Sequence, residues 1–191
     1  MKFPAEAAAR RERAAFLETL ESLTDASFDA GPTLCTGWAP RDVLAHVIGT
    51  DQAAPYLRRG LRIDRVNGDI TERSRALSRA DLLAAGRRWA TAPTTFGRFA
   101  SPLLLGDLGI HHQDVLRGLD RTREVPEAVA TAIFREGVFL SLQKNRRVLR
   151  HRLVPTAGKA IGRGPTVQGS PEALGMWLAG RDAATTDLVF A

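Results

Sequence analysis

The chain opens on a stretch, Ala5 to Leu23, in which Ala9, Phe16, Leu17 and Leu20 are apolar and charges fill the positions between them; this spacing predicts an amphipathic helix. The following DASFDAGPTLCTGW is marked as a loop by Gly31, Pro32 and Gly37. Pro40 suits the first turn of a second helix, where its missing N–H would have no intrahelical partner. That helix carries Val43, Leu44, Val47 and Ile48 towards Leu57, and His46, Thr50, Ala53 and Leu57 form a stripe along it that can face inward. Pro55 is placed to kink or end it. A third helical region spans Asp69 to Trp89, with Ser78 before ADLL as a capping start and Asp81 three residues on. TAPTTFGRFASP is predicted as loop. A fourth helix, Pro102 to Leu119, buries Leu104, Leu108, Val115 and Leu119, and a fifth runs from Pro126 to about Val148.

The last forty residues change character. RLVPT and GPTVQG are short strand-like pieces around a glycine-rich turn, PEALGMWLAGR is a short helix, and TTDLVF is a closing strand. Gly162 and Gly164 do not open a helix after a strand, so they mark a turn and no dinucleotide-binding fingerprint. The pattern predicts a mainly α protein: a helical bundle over residues 1–148 and a small C-terminal α/β appendage over 149–191.

Composition narrows the class. The 191 residues, 44% of them hydrophobic, suffice for one domain, or one domain with an appendage, around a packed core. No apolar run approaches the ~20 residues that cross a bilayer, and MKFPAEAAARRERAAF lacks the apolar centre of a signal peptide, so a cytoplasmic protein with no membrane partner is expected. A single cysteine, Cys35, excludes an internal disulfide framework. The net charge of +6 comes almost wholly from arginine and should draw anions to the surface. The densest basic run, Lys144 to Arg152, has no interleaved aromatics, which favours a solvated helix face over a nucleic-acid platform.

Three residues carry the sharpest chemistry. Asp107 and His111 stand four apart on the fourth helix, a rise of ~6 Å with both side chains leaving one face. His46 lies on an earlier helix that can pack against it. Two imidazoles and a carboxylate suit zinc and leave positions open for a ligand. Each has a plain structural alternative: a lone helical histidine is usually satisfied by one hydrogen bond, and an Asp–His pair can be a surface pair. Asp107 is harder to set aside, because a carboxylate beside an apolar stripe must be paired, hydrogen-bonded or bound to a cation. His112 falls on the opposite side of the stripe, while Asp114 can serve as the acceptor that orients a ligand histidine. Cys35, in a loop without a clear basic partner, fits a small, partly buried residue better than a nucleophile or fourth ligand. No Gly-x-Ser-x-Gly nucleophile elbow is present.

Taken together and in order, RRERAAFLETLESL, GWAPRDVLAHVIG, GDLGIHHQDVLRGL and GPTVQGSPEALGMWLAGR resemble the mycothiol-dependent maleylpyruvate isomerase family, within the wider DinB-like metal-binding bundles. The resemblance runs over nearly the whole chain. It implies a DinB-like four-helix bundle with a short α/β tail and a divalent metal, usually zinc, on a histidine of the second helix and an acid-x-x-x-His pair of a later one. Those positions are His46, Asp107 and His111. The family pattern has Glu where this chain has Asp107; with one methylene fewer, the helix must sit closer or bind through a different oxygen. A C-terminal arginine is also implied, and Arg181 occupies that place; its structural alternative is a helix-end cation meeting the dipole.

The resemblance implies mycothiol as a thiol cosubstrate and a small electrophilic, anionic substrate, with Arg181 as catalytic residue gripping its carboxylate. The reaction is either isomerisation or thiol S-transfer. The rival expectation is a non-catalytic bundle that binds a small ligand or protein partner; a weaker one is an arginine-driven nucleic-acid binder. The sequence leaves the oligomeric state open.

Overall fold

The structure, a computed structural model, describes residues 5–52 and 63–191. In chain order the elements are α1 (Glu6–Glu21), α2 (Asp25–Ala30), α3 (Pro40–Thr50), α4 (Ile63–Ser74), α5 (Arg79–Thr91), α6 (Thr95–Phe99), α7 (Ser101–Gly118), α8 (Glu127–Gln143), α9 (Arg147–Arg150), β1 (Arg152–Pro155), β2 (Ile161–Gly162), β3 (Thr166–Gly169), α10 (Pro171–Leu178), a 3-10 segment (Asp182–Asp187) and β4 (Val189–Phe190). The mainly helical fold with a small C-terminal sheet is the one the sequence predicts. No described helix is long and apolar enough to cross a membrane.

The chain divides into two compact units. The first holds residues 1–104 and 111–122, the second 105–110 and 123–191, so α7 runs unbroken through both. The division at 148 read from the sequence falls inside α9, shortly before β1; as a boundary between domains it is a proposal.

In the first unit α1 packs on α5, and α3 packs on α4 and α5. Phe16, Leu20, Phe28 and Leu44 are fully buried there, each worth about 1.5–3 kcal/mol of removal from water. α3 starts as expected, with Pro40 in its first turn and the Asp42 carboxylate accepting the Ala39 N–H at 3.1 Å. It ends on Asp51, which is 4% exposed. Asp51 Oδ2 accepts the Thr94 N–H at 2.7 Å, Thr94 Oγ1 donates to the Asp51 carbonyl at 2.6 Å, and a Cβ on Gly97 would lie 1.4 Å from Asp51 Oδ1. Only glycine at 97 lets the start of α6 close over this carboxylate.

Burial raises the Asp51 pKa, and the Thr94 hydrogen bonds and the nearby Arg13 cation only partly offset it. Folding therefore shifts Asp51 towards its protonated form relative to the unfolded chain. Stability is fully present below the unfolded pKa of ~3.9 and is lost as pH rises through the higher folded value. Relative to wild type, Asp51→Asn should gain stability as pH climbs through that window, measured by urea unfolding at a series of pH values. A difference between the two proteins that does not change with pH would contradict this.

In the second unit the sheet has the order β2-β1-β3-β4, with β1 and β3 parallel and the outer pairings antiparallel. Leu153 and Val167 point inward from neighbouring strands and are fully buried. α10 lies across α8 at a glycine contact: a Cβ on Gly137 would meet the Gly175 carbonyl oxygen at 2.3 Å.

Several expectations need correction. The stretch after α1 is not all loop: Thr24 Oγ1 accepts the Ser27 N–H at 3.1 Å and starts α2, which buries Phe28. The loop before α7 likewise contains α6, capped by Thr94. The third helical region is two helices, α4 and α5, and Ser78 caps the second through the Asp81 N–H at 3.1 Å. The fifth helix stops at Gln143. Asn145 accepts from Ser141 Oγ and the Arg147 N–H, and Arg146 turns left-handed at φ 57, so the chain leaves the helix axis. Pro55 and the expected end of the second helix at Leu57 lie outside the described residues.

Candidate metal centre

From Leu105 to Leu116, α7 is buried at every position except Asp107, which is half-buried. The sequence pattern suggested a stripe including Leu104 and Leu119. Both are half-buried, and Leu105, Ile110 and Leu116 do the packing instead. A helix apolar nearly all round has no single stripe to read. His111, His112, Gln113 and Asp114 are carried inside with it, and each must meet a polar partner there.

His111 and His112 diverge as expected for adjacent helical residues. His112 is fully buried, with Nδ1 2.8 Å from Glu12 Oε1 and Nε2 2.9 Å from Thr19 Oγ1, both on α1, and its ring meets Phe16 edge-on. His111 turns towards α3. Its ring centroid lies 4.7 Å from that of His46, and Trp38 stands against both, at 5.1 Å from His46 and 6.1 Å from His111.

His46, Asp107 and His111 each offer a ligand atom, and these atoms lie within 4.8 Å of one another. Asp107 and His111 stand one turn apart on the continuous helix α7. One divalent ion could reach a ligand atom of all three residues at once. His111 Nδ1 is 3.1 Å from Asp114 Oδ2, and Asp114 is fully buried. An imidazole held through Nδ1 by a carboxylate presents Nε2 outward, the arrangement that orients a metal-ligating histidine.

One part of the centre the sequence reading missed. Cys35 is not without partners: its Sγ lies 3.0 Å from Asp114 Oδ2 and 3.4 Å from His111 Nδ1. Cys35, His111 and Asp114 form a second group with metal-ligand spacing that shares His111 with the first. Trp38 was missed as well. The signal for both is the loop between α2 and α3, tied by Leu34 N–H donating to the Asp114 carbonyl and by Thr33 Oγ1 donating to the Trp38 carbonyl.

Arg181 belongs to the second unit. α10 closes with Gly180 at φ 90, the Arg181 N–H donating to the Met176 carbonyl and the Gly180 N–H to that of Trp177, a Schellman ending. The Arg181 side chain is half-buried and donates to the Ala179 carbonyl at 3.0 Å. In the basic run, Arg147 lies over the Trp177 ring at 4.8 Å and pairs with Asp182 at 2.6 Å, so it serves the packing of its own unit.

The fold is a mainly helical one with a small C-terminal sheet, and it brings His46, Asp107 and His111 together. Known proteins share parts of this picture. Residues 9–62 match the family model described as the mycothiol maleylpyruvate isomerase N-terminal domain. Two crystal structures of a mycothiol-dependent maleylpyruvate isomerase, one of a histidine-to-alanine variant, share the fold. The variant aligns with a TM-score of 0.67 at 14% identity and the other with 0.61 at 13%, each over 97% of this chain and 91% of its own. No curated protein matches the chain. Both positive comparisons lead to the family that the sequence motifs resemble.

Proposed function

We propose that this protein is a metal- and thiol-dependent enzyme, an isomerase or thiol S-transferase that uses mycothiol on a small anionic electrophile. The observation that carries the reading is the convergence of His46, Asp107 and His111 ligand atoms within 4.8 Å, with Asp114 behind His111, in a fold shared with structures of a mycothiol-dependent isomerase. A zinc-like ion held there would supply Lewis acidity that lowers the pKa of a thiol. His46, Asp107 and His111 would hold it, and Asp114 would fix the tautomer of His111. The thiolate of the cosubstrate then adds to the electrophile and forms a C–S bond. With a cis-enone acid the addition leaves an enolate; rotation about the new single bond and expulsion of the thiolate return the trans isomer, whereas uptake of a proton at the enolate carbon in place of expulsion gives a thiol conjugate.

The test incubates protein purified without chelator with mycothiol and a panel of cis-enone acids and other electrophiles, reading isomers by NMR and conjugates by mass. Metal-dependent turnover of at least one pair is expected. A folded, metal-loaded protein inert towards every pair would favour the non-catalytic bundle.

Arg181 is assigned the substrate carboxylate in this reading. A guanidinium fork suits a carboxylate better than an ammonium does, and a charge-assisted contact is worth about 1.5–3 kcal/mol. Arg181→Lys should therefore lower kcat/KM roughly tenfold to hundredfold, with metal content and Tm near wild type. Unchanged kinetics would leave Arg181 as a helix-end cation.

A further inference from the structure

Beside the metal centre, within the first unit, lies an open pocket of about 520 Å³, a size that suits a small-molecule ligand, for which ~300–1,000 Å³ is usual. Cys35 and Trp38 line it. The same two residues touch the metal group, Cys35 at His111 and Asp114 and Trp38 at the His46 and His111 rings. Two lining residues of the pocket thus also touch His46 and His111.

The rest of the lining states which chemistry fits. Two arginines reach the pocket, and each is paired with an acid that also lines it: Arg41 with Asp29 at 2.9 Å and Arg75 with Asp42 at 3.3 Å. The four charges sum to zero, which gives an anion nothing to neutralise it. What the pairs offer instead is a fixed set of donors and acceptors, joined by the hydroxyl of Thr36. An indole set among paired polar groups suits a neutral polyhydroxylated body, whose C–H face packs on the ring while its hydroxyls meet the rim.

We infer that this pocket binds the sugar-like, thiol-free body of the cosubstrate, with Trp38 as its platform. The inference rests on the thiol-dependent reading above. Of the two reactants, the anionic electrophile has no partner in this neutral pocket, whereas the glucosamine–inositol body of mycothiol is rich in hydroxyls. Bound here, it would direct its thiol arm past Trp38 towards the His46 and His111 side.

Cys35, the single cysteine of the chain, reports on the pocket without turnover. The rate of its alkylation is measured with and without the glucosamine–inositol pseudodisaccharide, and with maleate in its place. The pseudodisaccharide should slow alkylation at least fivefold at saturation, and maleate should leave it unchanged. Trp38→Ala should weaken that protection at least tenfold in apparent affinity. Because Trp38 also touches the histidines, Thr36→Trp, which fills the pocket from its exposed rim, serves as second variant and should abolish protection with metal content intact. Protection by maleate, or none by the pseudodisaccharide, would overturn the inference. Mycothiol turnover without protection would remove the pocket and keep the enzyme; protection in a protein that turns nothing over would keep the pocket and remove the enzyme.

Discussion

His46→Ala and His111→Ala should each abolish stoichiometric metal binding, whereas His112→Ala should keep the metal and lose much of the protein's stability. The three histidines look alike in the sequence, and two are neighbours. His46 and His111 face each other across 4.7 Å with Asp107 in reach; two ligands in place of three cannot hold an ion in the same way. His112 instead answers Glu12, which is 2% exposed, from 100 residues away in sequence. Removing it strands a buried carboxyl without that partner, at a cost of about 3 kcal/mol or more. Metal analysis and urea unfolding of the metal-free proteins separate the two roles. Loss of metal from His112→Ala together with full occupancy in His46→Ala would reverse the assignment.

The second large effect belongs to the crossing of α8 and α10. A Cβ at Gly137 would meet the Gly175 carbonyl at 2.3 Å, and one at Gly175 would meet the Ile133 carbonyl at 2.5 Å. Both obstacles are backbone, so no rotamer change relieves them and the helices must move apart. Overpacking costs typically about 1–3 kcal/mol, and Gly137→Ala and Gly175→Ala should fall at or above the upper end, seen as a lowered urea midpoint. Gly68→Ala is the counterpart: it lies in α4 with nothing of the described residues within 4 Å of its Cβ, and should gain up to ~1 kcal/mol from helix propensity alone. Equal effects at the three sites would show that the crossing is looser than described.

What the sequence disclosed depended on range. The Asp107–His111 spacing is a property of one helix, and the placement of His112 away from it follows from the angle between successive residues. The starts of α3 and α10, and the strands at Arg152–Pro155 and Thr166–Gly169, carried local signals in Pro40, Pro171 and short β-rich runs. Pairings across long separations left no local trace. Cys35 reaches Asp114 across 79 residues and Glu12 reaches His112 across 100, so neither partner is visible in the local sequence. Short helices such as α2 and α6 were hidden because their caps, Thr24 and Thr94, sit among residues that also favour loops. The break after Gln143 rests on hydrogen bonds of the Asn145 side chain, one of them to the distant Leu178 carbonyl.

We propose that His46, Asp107 and His111 form a metal site. Elemental analysis of the wild-type chain, purified without chelator and then equilibrated with zinc, tests it most directly. About one divalent ion per chain is expected, as a three-ligand site of this kind holds, with its loss in His46→Ala. A wild-type protein that is folded yet neither carries nor takes up a divalent ion would contradict it.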